Sequence, residues 1–207
     1  MNQQKDLWES LAKKNAKYYV YSDKGKGVSD EDFWNSGYYD YERLIGKDDL
    51  LKKAGVFLEI GCGIGRMTKA IQRIYPEVIG TDISNEMIKQ AKKNVWGNNK
   101  YTFIETDGLT LPLEDNLADV AFSYIVFPHM KTREMIESNF KEVYRVLKPK
   151  GVFKVQMRKD DRDNLDQWWG GVRWNDKSIK ELSSRIGFKL LKLEVIDHSG
   201  YWVWLQK

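Results

Sequence analysis

Val-Phe-Leu-Glu-Ile-Gly-Cys-Gly-Ile-Gly-Arg-Met-Thr, residues 56–68, is the stretch from which the rest of the chain is read. Val56–Ile60 has the length and β-branched content of a buried strand. It runs into Gly61, Gly63 and Gly65, after which Met67, Ala70, Ile71 and Ile74 repeat at helical spacing. Glycines permit the sharp turn and let a ligand lie on the backbone, beside the positive N-terminal end of a helix. Asp82 follows Gly61 by 21 residues and ends the next strand, where a carboxylate can accept both hydroxyls of a ribose.

Working outward, short apolar runs alternate with amphipathic helices. The predicted strands are Val56–Ile60, Glu77–Asp82, Tyr101–Glu105, Asp119–Tyr124 and Val152–Met157. Between them, Met87, Ile88, Ala91 and Val95 mark a helix with Ser84 as its N-cap, and Met135 to Leu147 mark another that starts at Thr132. Ser178 and Glu181 have capping-box spacing, and Gly187 is placed to end that helix. Phe188–Ile196 and Tyr201–Gln206 are two further strands, and the four residues between them, His198 included, are too few for a crossover helix. The expectation is a Rossmann-like α/β fold. Its doubly wound seven-stranded sheet is mostly parallel with one antiparallel C-terminal strand, and helices cover both faces. The four prolines are expected between elements. Residues 1–50 do not fit the alternation. Leu7, Trp8 and Leu11 share a helical face and Ser29 with Asp32 starts a second helix, so this stretch is expected to cap the ligand end of the 51–207 domain.

Composition narrows the class. Of 207 residues, 42% are apolar and 31% charged, which is globular rather than disordered. No apolar run reaches the roughly 18 residues of a membrane span, and the first residues lack a signal-peptide core, so a cytoplasmic protein without membrane contact is expected. The single cysteine, Cys62, argues against a disulfide framework or a multi-cysteine zinc site, and no metal is expected. Net charge is +4, split as −2, +5, −2 and +3 over residues 1–50, 51–100, 101–150 and 151–207. No block of like charge forms a nucleic-acid arm. Six of eleven tyrosines lie between Tyr18 and Tyr41 and five of eight tryptophans after residue 167, placing aromatics at both ends as core cap or pocket wall.

A dinucleotide site wants Gly-x-Gly-x-x-Gly, and Arg66 stands where its third glycine belongs. The spacing Gly-x-Gly-x-Gly after Glu59 instead resembles the first motif of the class I S-adenosylmethionine-dependent methyltransferases. Val-Ile-Gly-Thr-Asp-Ile-Ser (78–84), Glu-Thr-Asp-Gly-Leu-Thr-Leu-Pro-Leu (105–113) and Ala-Asp-Val-Ala-Phe-Ser-Tyr-Ile-Val-Phe-Pro-His-Met (118–130) resemble the family's following motifs. Segments 32–37, 169–174 and 201–205 resemble a bacterial branch of small methyltransferases with ubiquinone/menaquinone-methyltransferase-like motifs. The resemblance implies S-adenosylmethionine as cofactor, S-adenosylhomocysteine as product, and cofactor contacts from Glu59, Gly61, Gly63, Gly65, Arg66, Asp82, Ile83, Met87, Asp107, Gly108, Ser123 and Tyr124. Pro128 and Lys150 depart from the pattern, the latter replacing a glycine.

Methyl transfer is an in-line displacement, so the protein's task is chiefly alignment. A base is needed only for an acceptor whose proton has a pKa well above working pH. His129 is the candidate base, with Tyr124 beside it. Tyr21, Trp34, Arg158, Trp169 and Trp174, with His129, are candidates for the acceptor pocket, with Trp168 beside them. The charged stretch 158–166 is read as a solvent loop. The expected activity is O- or N-methylation of a small molecule. A methyltransferase of RNA or protein, an NAD-dependent oxidoreductase and a non-catalytic cofactor-binding protein remain alternatives, and the oligomeric state is open.

Overall fold

The computed structural model describes residues 3–22, 25–52, 54–97, 100–159, 167–196 and 200–207. Of the expected turn at 197–200, residues 197–199 with His198 lie outside them and Gly200 begins the last strand; of the expected solvent loop over 158–166, residues 160–166 lie outside them, while Arg158 ends a strand instead. Among the described residues, seven strands form one sheet in the order β3-β2-β1-β4-β5-β7-β6. They are β1 Val56–Ile60, β2 Glu77–Asp82, β3 Lys100–Glu105, β4 Ala118–Ser123, β5 Leu147–Arg158, β6 Lys189–Val195 and β7 Gly200–Gln206. The pairs β1–β2, β2–β3 and β4–β5 are parallel, and β7 runs antiparallel to both β5 and β6. The chain divides into two compact units, Met1–Asp107 and Gly108–Lys207.

In the first unit, helix α1 (Gln3–Val20) kinks at Asn15, whose side chain caps the second segment by accepting from Tyr18 N at 3.1 Å. Its buried face is Gln4, Ala12 and Ala16, while Leu7, Trp8 and Leu11 are only half-buried. Small residues there let α1 lie close, and Ala12 and Ala16 join Phe33, Ile64 and Met87 in one cluster. Helix α2 (Asp30–Tyr41) starts at Ser29, which accepts from Asp32 N as its sequence suggests, and a π turn over Glu42–Gly46 follows. Helix α3 is a correction: it is one turn, Thr68–Ile71, and Ile74, expected on its buried face, is 46% exposed. Helix α4 (Asn85–Asn94) has Ser84 as N-cap and buries Met87, Ile88 and Ala91.

In the second unit, Thr132 caps α5 (Arg133–Val146), and α6 (Asp176–Ile186) ends at Gly187 in the left-handed conformation. The capping box of α6 is shifted from the expected pair: Asn175 is the N-cap and Ser178 its reciprocal partner, leaving Glu181 outside it. Phe127, Phe140, Phe153 and Phe188 form the aromatic core between helices and sheet, with ring centroids 5.5–6.3 Å apart. β5 is longer than the expected Val152–Met157. It begins at Leu147, pairs with Ala118 and shifts register before Val152, and the irregularity accommodates Pro149 inside the strand rather than between elements.

Lys150 beside that bulge sits at φ 68°, which explains why a glycine suits the position. The left-handed region costs an L-residue about 1–2 kcal/mol. Its N–H donates to Lys207 O at 2.9 Å, a bond glycine retains. Lys150→Gly is therefore expected to raise the melting temperature by about 2–4 °C, read by calorimetry, and a decrease would refute the account.

Candidate active site

In the first unit the loop after β1 turns through Gly61 at φ 74°, Gly63 at φ 54° and Gly65 at φ 86°. Gly61 N and Cys62 N both donate to Thr81 O, at 2.7 and 2.9 Å, which ties the loop to the end of β2. A Cβ on Gly63 would lie 2.8 Å from Val20 Cγ2, and one on Gly65 2.5 Å from Val95 Cγ2. Space as well as backbone conformation therefore requires glycine at both positions.

Asp82 faces this loop. Its Oδ2 accepts from Gly63 N and its Oδ1 from Ser84 N, each at 2.9 Å, so the carboxylate and the loop orient each other. Burial raises its carboxyl to about 6, against the opposing bonds from Ser84, Gly63 and Ile83. Glu59 is deeper, 5% exposed, and receives the Thr68 hydroxyl on its carboxylate. Burial pushes it up to about 7, with Thr68 and then Arg66 opposing.

Arg66 is 4% exposed and committed largely to α2: Nη1 donates to Asp40 Oδ2 at 2.7 Å and Ser36 Oγ at 3.0 Å. A Cβ on Gly37 would lie 2.2 Å from Arg66 O, so α2 rests directly on the loop's backbone. Tyr21 and Trp34 each carry a cation on a ring face, Arg66 at 5.1 Å and Lys69 at 4.6 Å. Arg66 Nε is buried with no hydrogen-bond partner among the described residues.

Helix α1 supplies residues that sequence reading missed. Glu9 Oε2 accepts from Ser84 Oγ at 2.7 Å and Glu86 N at 3.0 Å, so it caps the start of α4 from 75 residues away. Although burial works the other way, these bonds and Lys13 hold its carboxyl at about 2. Lys5 meets Glu105 at 2.5 Å, and Asn85 donates to the same carboxylate. No local motif signals contacts across such separations. Ile83 is half-buried and Met87 buried beside this turn, and Asp107 is exposed after β3.

The donor set fits an adenosine-type cofactor. An ionised carboxylate has about four acceptor sites, and Asp82 keeps capacity for hydroxyls beyond its three backbone bonds. The unpartnered Arg66 Nε is a donor suited to an anionic group, because an unmet buried donor carries a desolvation cost.

In the second unit, Gly108 O accepts from Asn139 Nδ2 at 2.7 Å, and Ser123 ends β4 fully buried. Tyr124 stacks on Trp202 with centroids 5.6 Å apart. His129, 9% exposed, lies in a 3₁₀ turn over Phe127–His129, with Trp169 O 2.8 Å from its Nδ1 and Trp168 stacked on its ring. Burial lowers its pKa to about 4, with Arg158 and Lys131 adding to the effect, so the ring is neutral at pH 7. A carbonyl only accepts, so Nδ1 carries the proton and Nε2 the lone pair. Arg158 Nη1 donates to Trp169 O at 2.7 Å and to Pro128 O at 3.4 Å, and its guanidinium lies 5.2 Å from the Trp169 ring. Trp174 is 6% exposed under the Arg133 guanidinium. Three of the expected pocket residues in this unit, His129, Arg158 and Trp169, thus meet at one carbonyl, while Trp174 is packed inward.

Comparison with known proteins agrees with this geometry. Residues 58–155 match the model of a family described as Methyltransferase domain. The chain is 30% identical over 124 residues to the 2-methyl-6-phytyl-1,4-hydroquinone methyltransferase of Synechocystis sp., covering 58% of this chain and 38% of that protein. It is 29% identical over 140 residues to the phosphoethanolamine N-methyltransferase of Plasmodium falciparum, covering 65% and 52%. The chain therefore spans about half the length, or less, of these curated relatives. Among solved structures, a SAM-dependent methyltransferase from Archaeoglobus fulgidus superposes with TM-score 0.69 at 15% identity, covering 92% of this chain and 99% of that one. Among the described residues, no helix is long and apolar enough to cross a membrane. Residues 58–155 carry a methyltransferase domain, and the mixed seven-stranded sheet, glycine loop and strand-end aspartate are those of the class I S-adenosylmethionine-dependent methyltransferase fold.

Proposed function

We propose that the protein transfers a methyl group from S-adenosylmethionine to a small-molecule acceptor, at oxygen or nitrogen. The observation that carries this reading is the mutual orientation of Asp82 and the Gly61–Gly65 loop. Bound S-adenosylmethionine would supply an electrophilic methyl group on a good leaving group. The chain's own work is to hold and align. Asp82 accepts the ribose hydroxyls, the backbone of Gly61, Gly63 and Gly65 leaves room for the ligand, and Arg66 Nε meets the carboxylate of the methionyl part. Glu59 and Met87 support the loop and Ile83 flanks the ribose, while Asp107, Gly108, Ser123 and Tyr124 complete the cofactor contacts.

His129 Nε2 is the proton acceptor on this reading. With a pKa of about 4 it is a weak base, which suits an acceptor that is already nucleophilic or readily ionised. Alignment in a near-attack geometry can then supply roughly 7–11 kcal/mol of the barrier reduction. The relatives named for hydroquinone and phosphoethanolamine methylation support a small acceptor. Cytoplasmic location is part of the same proposal.

Calorimetric titration of S-adenosylmethionine and S-adenosylhomocysteine, beside NADH, tests the reading. Micromolar binding of the first two is expected, weakened at least about 100-fold in Asp82→Ala, the loss of two charge-assisted hydrogen bonds. Preferential binding of NADH would overturn it.

A further inference from the structure

Ile125, the second residue after β4, has its backbone at φ 56°. A β-branched residue is exceptional in the left-handed region, which glycine adopts freely and asparagine tolerates. Among the described residues, the other two non-glycine residues with positive φ are Asn116, of a tolerated type, and Lys150, whose long side chain is exposed. Ile125 is neither polar nor buried. The residue is 40% exposed, so a good part of a bulky apolar side chain is left unpacked by the fold that holds it in this conformation.

The strained peptide is nevertheless held firmly. Ile125 N donates to Gln156 Oε1 at 3.0 Å, and Gln156 lies on β5, the strand beside β4. On one side Tyr124 is fixed by its stack on Trp202, which is the register partner of Gln156. On the other, the chain enters the 3₁₀ turn that carries His129, where His129 N donates to Val126 O at 2.9 Å. Gly171 is packed against this segment so closely that a Cβ there would lie 2.3 Å from Pro128 O. A bulky apolar side chain is thus presented outward from a rigid turn, between the two residues expected at the transferring end of the site.

We propose that Ile125 is a specificity-determining residue whose side chain meets an apolar face of the methyl acceptor, with Gln156 as the residue that positions it. The fold bears the cost of the strained backbone, through the Gln156 bond among others, and what that cost secures is recognition of the acceptor. This rests on the small-molecule methyltransferase reading given above.

The test compares wild type, Ile125→Gly and Ile125→Val. It reads melting temperature, S-adenosylhomocysteine affinity, and methyl incorporation from tritium-labelled S-adenosylmethionine into a deproteinised bacterial metabolite extract. Ile125→Gly is expected to melt about 2–4 °C higher, because glycine takes the same backbone conformation without strain. Its S-adenosylhomocysteine affinity should stay within about twofold, while incorporation at limiting extract falls at least about 10-fold and recovers at high extract, an effect on KM. Ile125→Val should retain most of the incorporation. A lower melting temperature in Ile125→Gly would mean that the fold itself uses the side chain, and unchanged incorporation would mean that the acceptor does not. Either result overturns the proposal, as does a loss of cofactor affinity equal to the loss of incorporation. Wild type that binds S-adenosylhomocysteine but labels nothing in the extract overturns the small-molecule reading itself, and this inference with it.

Discussion

Asp40→Ala is expected to lower the melting temperature by roughly 10 °C, because it leaves the Arg66 guanidinium buried without its carboxylate. Breaking one side of a buried pair costs about 3–5 kcal/mol, and about 2–4 °C accompanies each kcal/mol in a chain of this size. Ser36 Oγ and the Tyr21 ring remain as partners, but neither carries charge. The damage should reach the cofactor, since Arg66 follows Gly65 and its carbonyl is the surface on which α2 rests at Gly37. Replacing both partners, as in Asp40→Leu with Arg66→Met, should restore much of the stability without restoring cofactor affinity. A fall below about 1 kcal/mol in the single variant would mean that Arg66 swings out to solvent, and that the clamp is not what fixes α2.

The second large effect is on pH dependence, in opposite directions for stability and for binding. Glu59 titrates near 7 in the fold against 4.5 in an ordinary peptide, so between those values the folded state binds the extra proton. Its contribution to stability is therefore greatest below about 4.5 and declines as pH rises through 7, by on the order of 3 kcal/mol. Glu59→Gln removes that decline. Its melting temperature should exceed wild type by roughly 5 °C or more at pH 8 and differ little at pH 4.5. Binding runs the other way. In the proposed ribose site Asp82 accepts two hydroxyls as a carboxylate, and its carboxyl is raised to about 6. S-adenosylhomocysteine affinity should fall about tenfold per unit below that value, and Asp82→Asn should bind weakly at every pH. A wild-type affinity that stays flat from pH 8 to 5 would remove Asp82 from ribose recognition.

What the sequence disclosed, and what it withheld, follows from range. The glycine loop, the caps Ser29, Ser84 and Thr132, and the terminal Gly187 are local patterns, and each stands where its neighbours in sequence put it. The strands were legible because an α/β sheet buries short apolar runs. The one-turn α3 was not, since Met67, Ala70 and Ile71 are buried by tertiary packing that helical periodicity imitates. Asn175 displaced the expected capping pair because Asn175 and Ser178, three residues apart, are both polar and either could start the helix. Glu9, Asp40 and Gln156 act on partners 26 to 77 residues away, and no spacing rule reaches that far. Ile125 is a different kind of omission: its composition says strand end, and only the backbone angle shows that it is held against its preference.

The position of β7 has a consequence for how the protein fails. Tyr-Trp-Val-Trp-Leu, residues 201–205, has the make-up of a segment prone to cross-β stacking, being aromatic, β-branched and uncharged. It is paired on both sides, by β5 and by β6. The open edge on this side of the sheet belongs instead to β6, which carries Lys189, Lys192 and Glu194 and is largely exposed. Aggregation should therefore begin only from states in which β6 has peeled away, with that charged strand acting as gatekeeper for the adhesive one beneath it.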